Sequence, residues 1–144
     1  MPLEDDAALR ALLEEVHTIA VLGIKQGAED DAFRVPRYLQ QQGYRILPVN
    51  PKLERVLGEP CAPRLADLGE TPDLVDVFRA PQHIPGHVDE ILALPRHPRA
   101  VWLQLGIRHP ATSRLEEAGI SLVEDRCMMV EHRRLMAGAP KDQG

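Results

Sequence analysis

Aromatic side chains are nearly missing from this chain: one Trp, two Tyr and two Phe make up 3% of its 144 residues. A core with so few rings has to be filled by Leu, Val, Ile and Ala, which suits parallel strands covered on both faces by helices. Cysteine is as scarce. Cys61 and Cys127 lie far apart with no C-x-x-C, so neither a disulfide framework nor a cysteine metal cluster is indicated, and both thiols are expected to be reduced. Positive charge is in deficit, with 17 Lys and Arg against 22 Asp and Glu and a net charge of −5. Binding to nucleic acid or an anionic membrane needs a basic stripe to displace counterions, so neither partner is expected. No apolar run nears the roughly eighteen residues of a membrane span. The opening segment lacks the basic start and apolar stretch of a secretion signal, and a cytoplasmic location is expected.

Signatures of catalysis are missing as well. The chain has no G-x-S-x-G elbow, no glycine-lysine-serine phosphate loop and no carboxylate pair that sequence alone brings together. His83 and His87 are four apart, but Pro85 and Gly86 between them argue against one continuous helical face, and no third ligand is spaced to help. No catalytic residue and no metal ligand is assigned.

What is present is a regular alternation. Apolar runs of strand length occupy 19–22, 45–49, 74–78, 100–105 and, more briefly, 121–123. Amphipathic stretches occupy 4–16, 32–42, 85–94, 110–118 and 128–137, several with Pro near the start and Gly just past the end. The segment 51–72 reads as loop with a helical turn near 65–68. Strand alternating with helix implies an α/β fold of three layers, a mainly parallel sheet of five strands, six at most, with helices on both faces. The length suits one domain, taken as 1–138, followed by a tail at 139–144 that lacks apolar periodicity and is expected to fray.

In such sheets ligands bind beyond the C-terminal ends of the strands, where the strand order reverses. The first of those ends carries Gly23, Ile24, Lys25, Gln26 and Gly27 before a helix. A strand, a glycine turn and a helix start aim backbone N–H groups and a positive dipole end at one spot, which suits phosphate. The spacing is G-x-x-x-G and lacks the G-x-G-x-x-G dinucleotide fingerprint. Lys25, Arg34 and Arg37 would ring a phosphate, or else serve as solvated partners of Glu29, Asp30 and Asp31, whose carboxylates repel one. Asp31 also reads as the helix cap.

The second strand ends Val49-Asn50-Pro51-Lys52, where a protein that binds NAD usually carries an acid for the ribose 2′-hydroxyl. No acid stands there. A lysine at this point suits a ribose that bears its own phosphate, as in coenzyme A or NADP, although Lys52 reads equally as a solvated residue after a turn proline. The third strand ends with Phe78, read as lining the crevice mouth or equally as core, and Arg79 and Pro81 follow it. Gln104 and Gly106 follow the fourth, where Trp102 is assigned to packing under a helix. Cys127 follows the fifth, either as a small apolar residue or as a thiol whose pKa Arg126 and a helix start would lower.

The segments IAVLGI, RVPRYLQQQGYRILPVNP, LGEPC with LADL, DLVDVFRAP, AVWLQLGI and DRCMMVEH, in that order over roughly 17–133, resemble the small single-domain CoA-binding proteins. These are similar to the N-terminal CoA-binding domain of the succinyl-CoA synthetase alpha subunit. The resemblance implies a Rossmann-like fold with coenzyme A, free or acylated, along the C-terminal edge of the sheet. By position, Gly23, Ile24, Lys25 and Gln26 would line the pyrophosphate turn and Arg34 would approach phosphate. Val49, Asn50 and Lys52 would lie near the adenosine half, Phe78, Arg79 and Pro81 along the next part of the crevice, and Gln104 toward the pantetheine. Relatives often carry Ser and Pro in the first loop, where this chain has Lys25 to Asp31. The synthetase holds its phosphorylated histidine in a separate domain, so ligase activity is not expected. The leading expectation is a non-catalytic CoA-binding or regulatory module, with a protein of acyl-CoA metabolism as a possible partner. An NADP-dependent reductase or a CoA-thiol exchange enzyme using Cys127 is the alternative.

Overall fold

The computed structural model describes residues 1–136, so the assigned tail at 139–144 and the expected end of the last helix lie outside the described residues. Helix α1 (Asp6–Glu15) begins where the Asp5 side chain accepts the Ala8 N–H, a capping bond that satisfies one of the helix's free donors. It leads into β1 (Thr18–Leu22), α2 (Asp31–Gln41) and β2 (Arg45–Val49). A two-stranded ribbon follows, β3 (Arg55–Val56) against β4 (Glu59–Pro60), and then β5 (Leu74–Val77), α3 (Ile84–Leu92), β6 (Ala100–Leu103), α4 (Ser113–Glu117), β7 (Ser121–Val123) and α5 (Met128–Met136).

The sheet order is β2-β1-β5-β6-β7 and every neighbouring pair is parallel. Alternate residues face opposite layers, as the period of a strand requires. Ile19, Val21, Ile46 and Trp102 pack with α1, α2 and α5. Ala20, Leu22, Leu47, Val75 and Val101 pack with α3 and α4 on the other side. The expected five parallel strands and three layers are therefore present. Among the described residues the sheet has no sixth strand; beyond β2 there is a single parallel bridge, Val49 to Ala62.

Three local differences have physical causes. The ribbon lies in the stretch read as loop, and its two-residue turn puts Leu57 at φ 55 and Gly58 at φ 78, a twist that matches paired strands. The third and fourth helices each open with a short 3-10 turn, Pro81–His83 and Pro110–Thr112, because proline fits a helix start and has no N–H to leave unbonded. The strand ends at 78 and at 104–105 already belong to the loops.

Trp102 is fully buried, and its Nε1 donates to the Arg126 carbonyl at 2.8 Å. Removing the ring would leave a large cavity between the sheet and α5 and orphan that carbonyl. Trp102→Ala is expected to lower unfolding free energy by about 3–5 kcal/mol in urea denaturation.

Candidate ligand-binding crevice

The strand order reverses between β1 and β5, and the residue after β1 is Gly23 at φ 81. A Cβ there would lie 2.4 Å from the Phe78 carbonyl oxygen and 2.9 Å from Arg79 Cδ. Glycine lets the two strand ends converge. The Gly23 N–H donates to the Val49 carbonyl at 3.1 Å, and the Phe78 N–H to the Leu22 carbonyl at 2.9 Å, so the ends of β2, β1 and β5 are stitched together.

Two neighbours fix the turn. Pro36 lies inside α2 and has no N–H, which frees the Ala32 carbonyl one turn earlier; that carbonyl accepts the Lys25 N–H at 3.1 Å. Asn50 donates from Nδ2 to the Ile24 carbonyl at 2.8 Å and accepts the Lys52 N–H on Oδ1 at 2.8 Å. One side chain thereby sets both the Gly23 turn and the loop that carries Lys52.

The crevice above these ends has two lobes that share Lys25, Phe78, Arg79 and Ala80. The first, of about 530 Å³, runs over Gly23, Val49, Asn50 and Lys52 to Arg64, His83 and His87. Of the chain's three lysines, the two among the described residues both line it, and neither makes an ion pair with a described residue. The second, of about 550 Å³, runs past Asp30, Asp31 and Arg34 to Gln104 and Cys127.

Nine of the twelve residues assigned from sequence line these lobes, and three do not. Ile24 turns its side chain into the core, fully buried, and offers only its backbone. Gln26 and Pro81 are exposed and border neither lobe. Arg34 is held by an ion pair with Asp31, so its charge is already met. Asp30 rather than Asp31 occupies the cap position, without a side-chain capping bond.

His83 and His87, read as separated by Pro85 and Gly86, both face the first lobe because the 3-10 turn runs straight into α3. His87 Nδ1 contacts Glu90 at 2.6 Å, and Arg79 Nε donates to His87 Nε2 at 3.3 Å. A proline at a helix start was the available signal. Arg64, Leu105 and Val130 carried none.

Behind the second lobe lies a buried polar chain. The Met128 N–H donates to Gln104 Oε1 at 3.4 Å, and Gln104 Nε2 donates to Asp76 Oδ1 at 2.6 Å. Asp76 is fully buried, and its Oδ2 has no hydrogen-bond partner among the described residues. Burial pushes its carboxyl up to about 7, and the Gln104 bond offsets only part of that.

The fold is a Rossmann-like, doubly wound α/β domain whose switch point opens into a crevice lined by Lys25 and Lys52. The chain belongs to the CoA binding domain family, whose model matches residues 17–133. A Thermus thermophilus protein solved as cell-free ID.343 is 50% identical, with a TM-score of 0.87 over 92% of this chain and 100% of that one. The uncharacterized protein YneT of Bacillus subtilis is 30% identical over 88% of this chain and 93% of its own length. A dinucleotide-forming acetyl-coenzyme A synthetase 1 from Ca. Korarchaeum cryptofilum, solved with phosphate and ADP, shares the fold. Its TM-score is 0.66 at 17% identity, over 79% of this chain and 26% of that one. No helix among the described residues is long and apolar enough to cross a membrane.

Asp76 gives the fold a pH signature. Its carboxyl is ionised above 3.8 when unfolded but stays protonated up to about 7 when folded. It therefore costs no stability at low pH, costs progressively more as pH rises through that window, and a constant amount above it. Asp76→Asn is expected to gain on the native protein by on the order of 4 kcal/mol between pH 4 and pH 8, read as the difference between their urea denaturation curves. A difference that stays constant with pH would contradict the assignment.

Proposed function

We propose that the protein binds coenzyme A or an acyl-CoA in this crevice and acts as a binding or regulatory module without catalysis of its own. The observation that carries this reading is the pair Lys25 and Lys52. Both stand beside the glycine turn, free of ion pairs with described residues, in a chain whose net charge is −5. Phosphates are the chemistry such a pair suits, and the loop after β2 carries Lys52 where an NAD site would need an acid. In this reading the first lobe takes the phosphorylated nucleotide, with the 3′-phosphate toward Lys52 and the pyrophosphate at the Gly23 turn. The pantetheine crosses Phe78 toward Gln104 in the second lobe.

Isothermal calorimetry tests it. CoA is expected to bind at micromolar or tighter affinity, and Lys52→Ala to weaken CoA by about tenfold while changing dephospho-CoA by less than about twofold. No heat with CoA at high protein concentration would sink the reading.

Cys127 supports a second reading, thiol exchange, because its free, half-buried thiol lines the second lobe. Its thiolate would attack the S–S bond of CoA disulfide, forming a protein–CoA mixed disulfide and expelling one CoA thiolate. Incubation with CoA disulfide should then add the mass of a single CoA moiety to the intact protein and none to Cys127→Ser; an unmodified native protein rules exchange out.

A further inference from the structure

We infer that the second lobe takes a neutral aliphatic acyl chain, so that the ligand is an acyl-CoA with an apolar acyl group rather than free CoA or a dicarboxylic acyl-CoA. This rests on the CoA reading above and specifies what lies beyond the pantetheine. Apart from the N-terminal Met1, the large hydrophobic side chains left exposed among the described residues are Leu105 at 71% and Val130 at 52%. Both line this one lobe. Single exposed hydrophobics are ordinary on a protein surface; two converging on a cleft that continues a ligand site are not.

The exposure of Leu105 is enforced. Leu105 and Gly106 form a tight turn closed by the Ile107 N–H to the Gln104 carbonyl at 2.9 Å, with Gly106 at φ 84. The Gly106 N–H donates to Asp125 Oδ1 at 2.7 Å, and Asp125 itself sits at φ 56, a left-handed conformation that costs a non-glycine residue energy. Arg108 then bridges Asp125 and Glu124. Strain and ion pairs are thus committed to holding an apolar side chain in water.

Charge divides the lobe into two walls. The loops after β6 and β7 and the start of α5 contribute Gln104, Leu105, Ile107, Cys127, Met129 and Val130, none of them charged. Lys25, Asp30, Asp31, Arg34 and Arg79 come from the other side. An aliphatic chain against the neutral wall would gain up to about fourfold in affinity per fully buried methylene. A terminal carboxylate there would lose hydration without meeting a cation on that wall. Because Phe78 and Arg79 border both lobes, a thioester whose nucleotide fills the first lobe runs directly into the second.

The test is calorimetry of the full chain with CoA, octanoyl-CoA and succinyl-CoA, repeated on the double variant Leu105→Ser, Val130→Ser. Octanoyl-CoA is expected to bind one per chain and at least about tenfold tighter than CoA, with succinyl-CoA no tighter than CoA. The octanoyl-to-CoA affinity ratio should fall at least about threefold in the double variant, whose exposed substitutions leave the core intact. CoA binding with a ratio near one in the native protein overturns this inference and leaves the CoA reading standing; no binding of any of the three overturns both. A ratio unchanged in the double variant also overturns it. If sedimentation then shows a native dimer that the variant disperses, the two side chains cover a second copy of the chain.

Discussion

A Cβ on residue 23 would sit 2.4 Å from the Phe78 carbonyl oxygen, so β1 and β5 can end side by side only with glycine at that position. The rest of the crevice is built outward from this contact. It brings the Phe78 and Arg79 loop against the Gly23 turn, and the backbone bond from Gly23 to Val49 draws in the end of β2 with Asn50 and Lys52. A parallel sheet leaves strand ends splayed unless something closes them. Here the closure is made of backbone, and side chains of the loops are left facing the crevice.

The two ends of the sheet are treated oppositely. At the N-terminal ends, Asp73 accepts the N–H groups of His17 and Thr18, and its own N–H donates to Thr18 Oγ1, which closes that edge with short polar bonds. At the C-terminal ends, both described lysines stand without ion pairs to described residues. Most of the arginines elsewhere are committed: Arg45 to Glu70, Arg99 to Glu15, Arg114 to Asp89, and Arg134 to Asp6 and Glu131. Exposed pairs of this kind contribute little to stability. Their effect is to neutralise positive charge over the surface, so that Lys25 and Lys52 stand out as cations at the strand ends.

The strand and helix pattern was legible because buried parallel strands are continuous apolar runs and helices announce their ends with Pro and Gly. The β3–β4 ribbon was not, since it depends on Leu57 adopting a positive φ that composition does not signal. At the site, sequence located the loops but not the direction of each side chain. Ile24 is one residue from Gly23 and points into the core, while Lys25, one further, points into the crevice. The Asp76–Gln104 pair was invisible because Asp76 lies within β5 and Gln104 just past the end of β6, and the two meet only through the pairing of those strands. The exposed pair Leu105 and Val130 was invisible as well, since one comes from the turn after β6 and the other from the start of α5.

Pro36 gives up one rung of α2, and the released carbonyl holds Lys25. Turn and helix are therefore fastened at a point where a loop would otherwise swing freely. Val35 and Leu39 anchor the same helix in the core. Force applied at the turn is borne by a seated helix, and the loop acquires the stiffness of the scaffold. Little of its freedom is left.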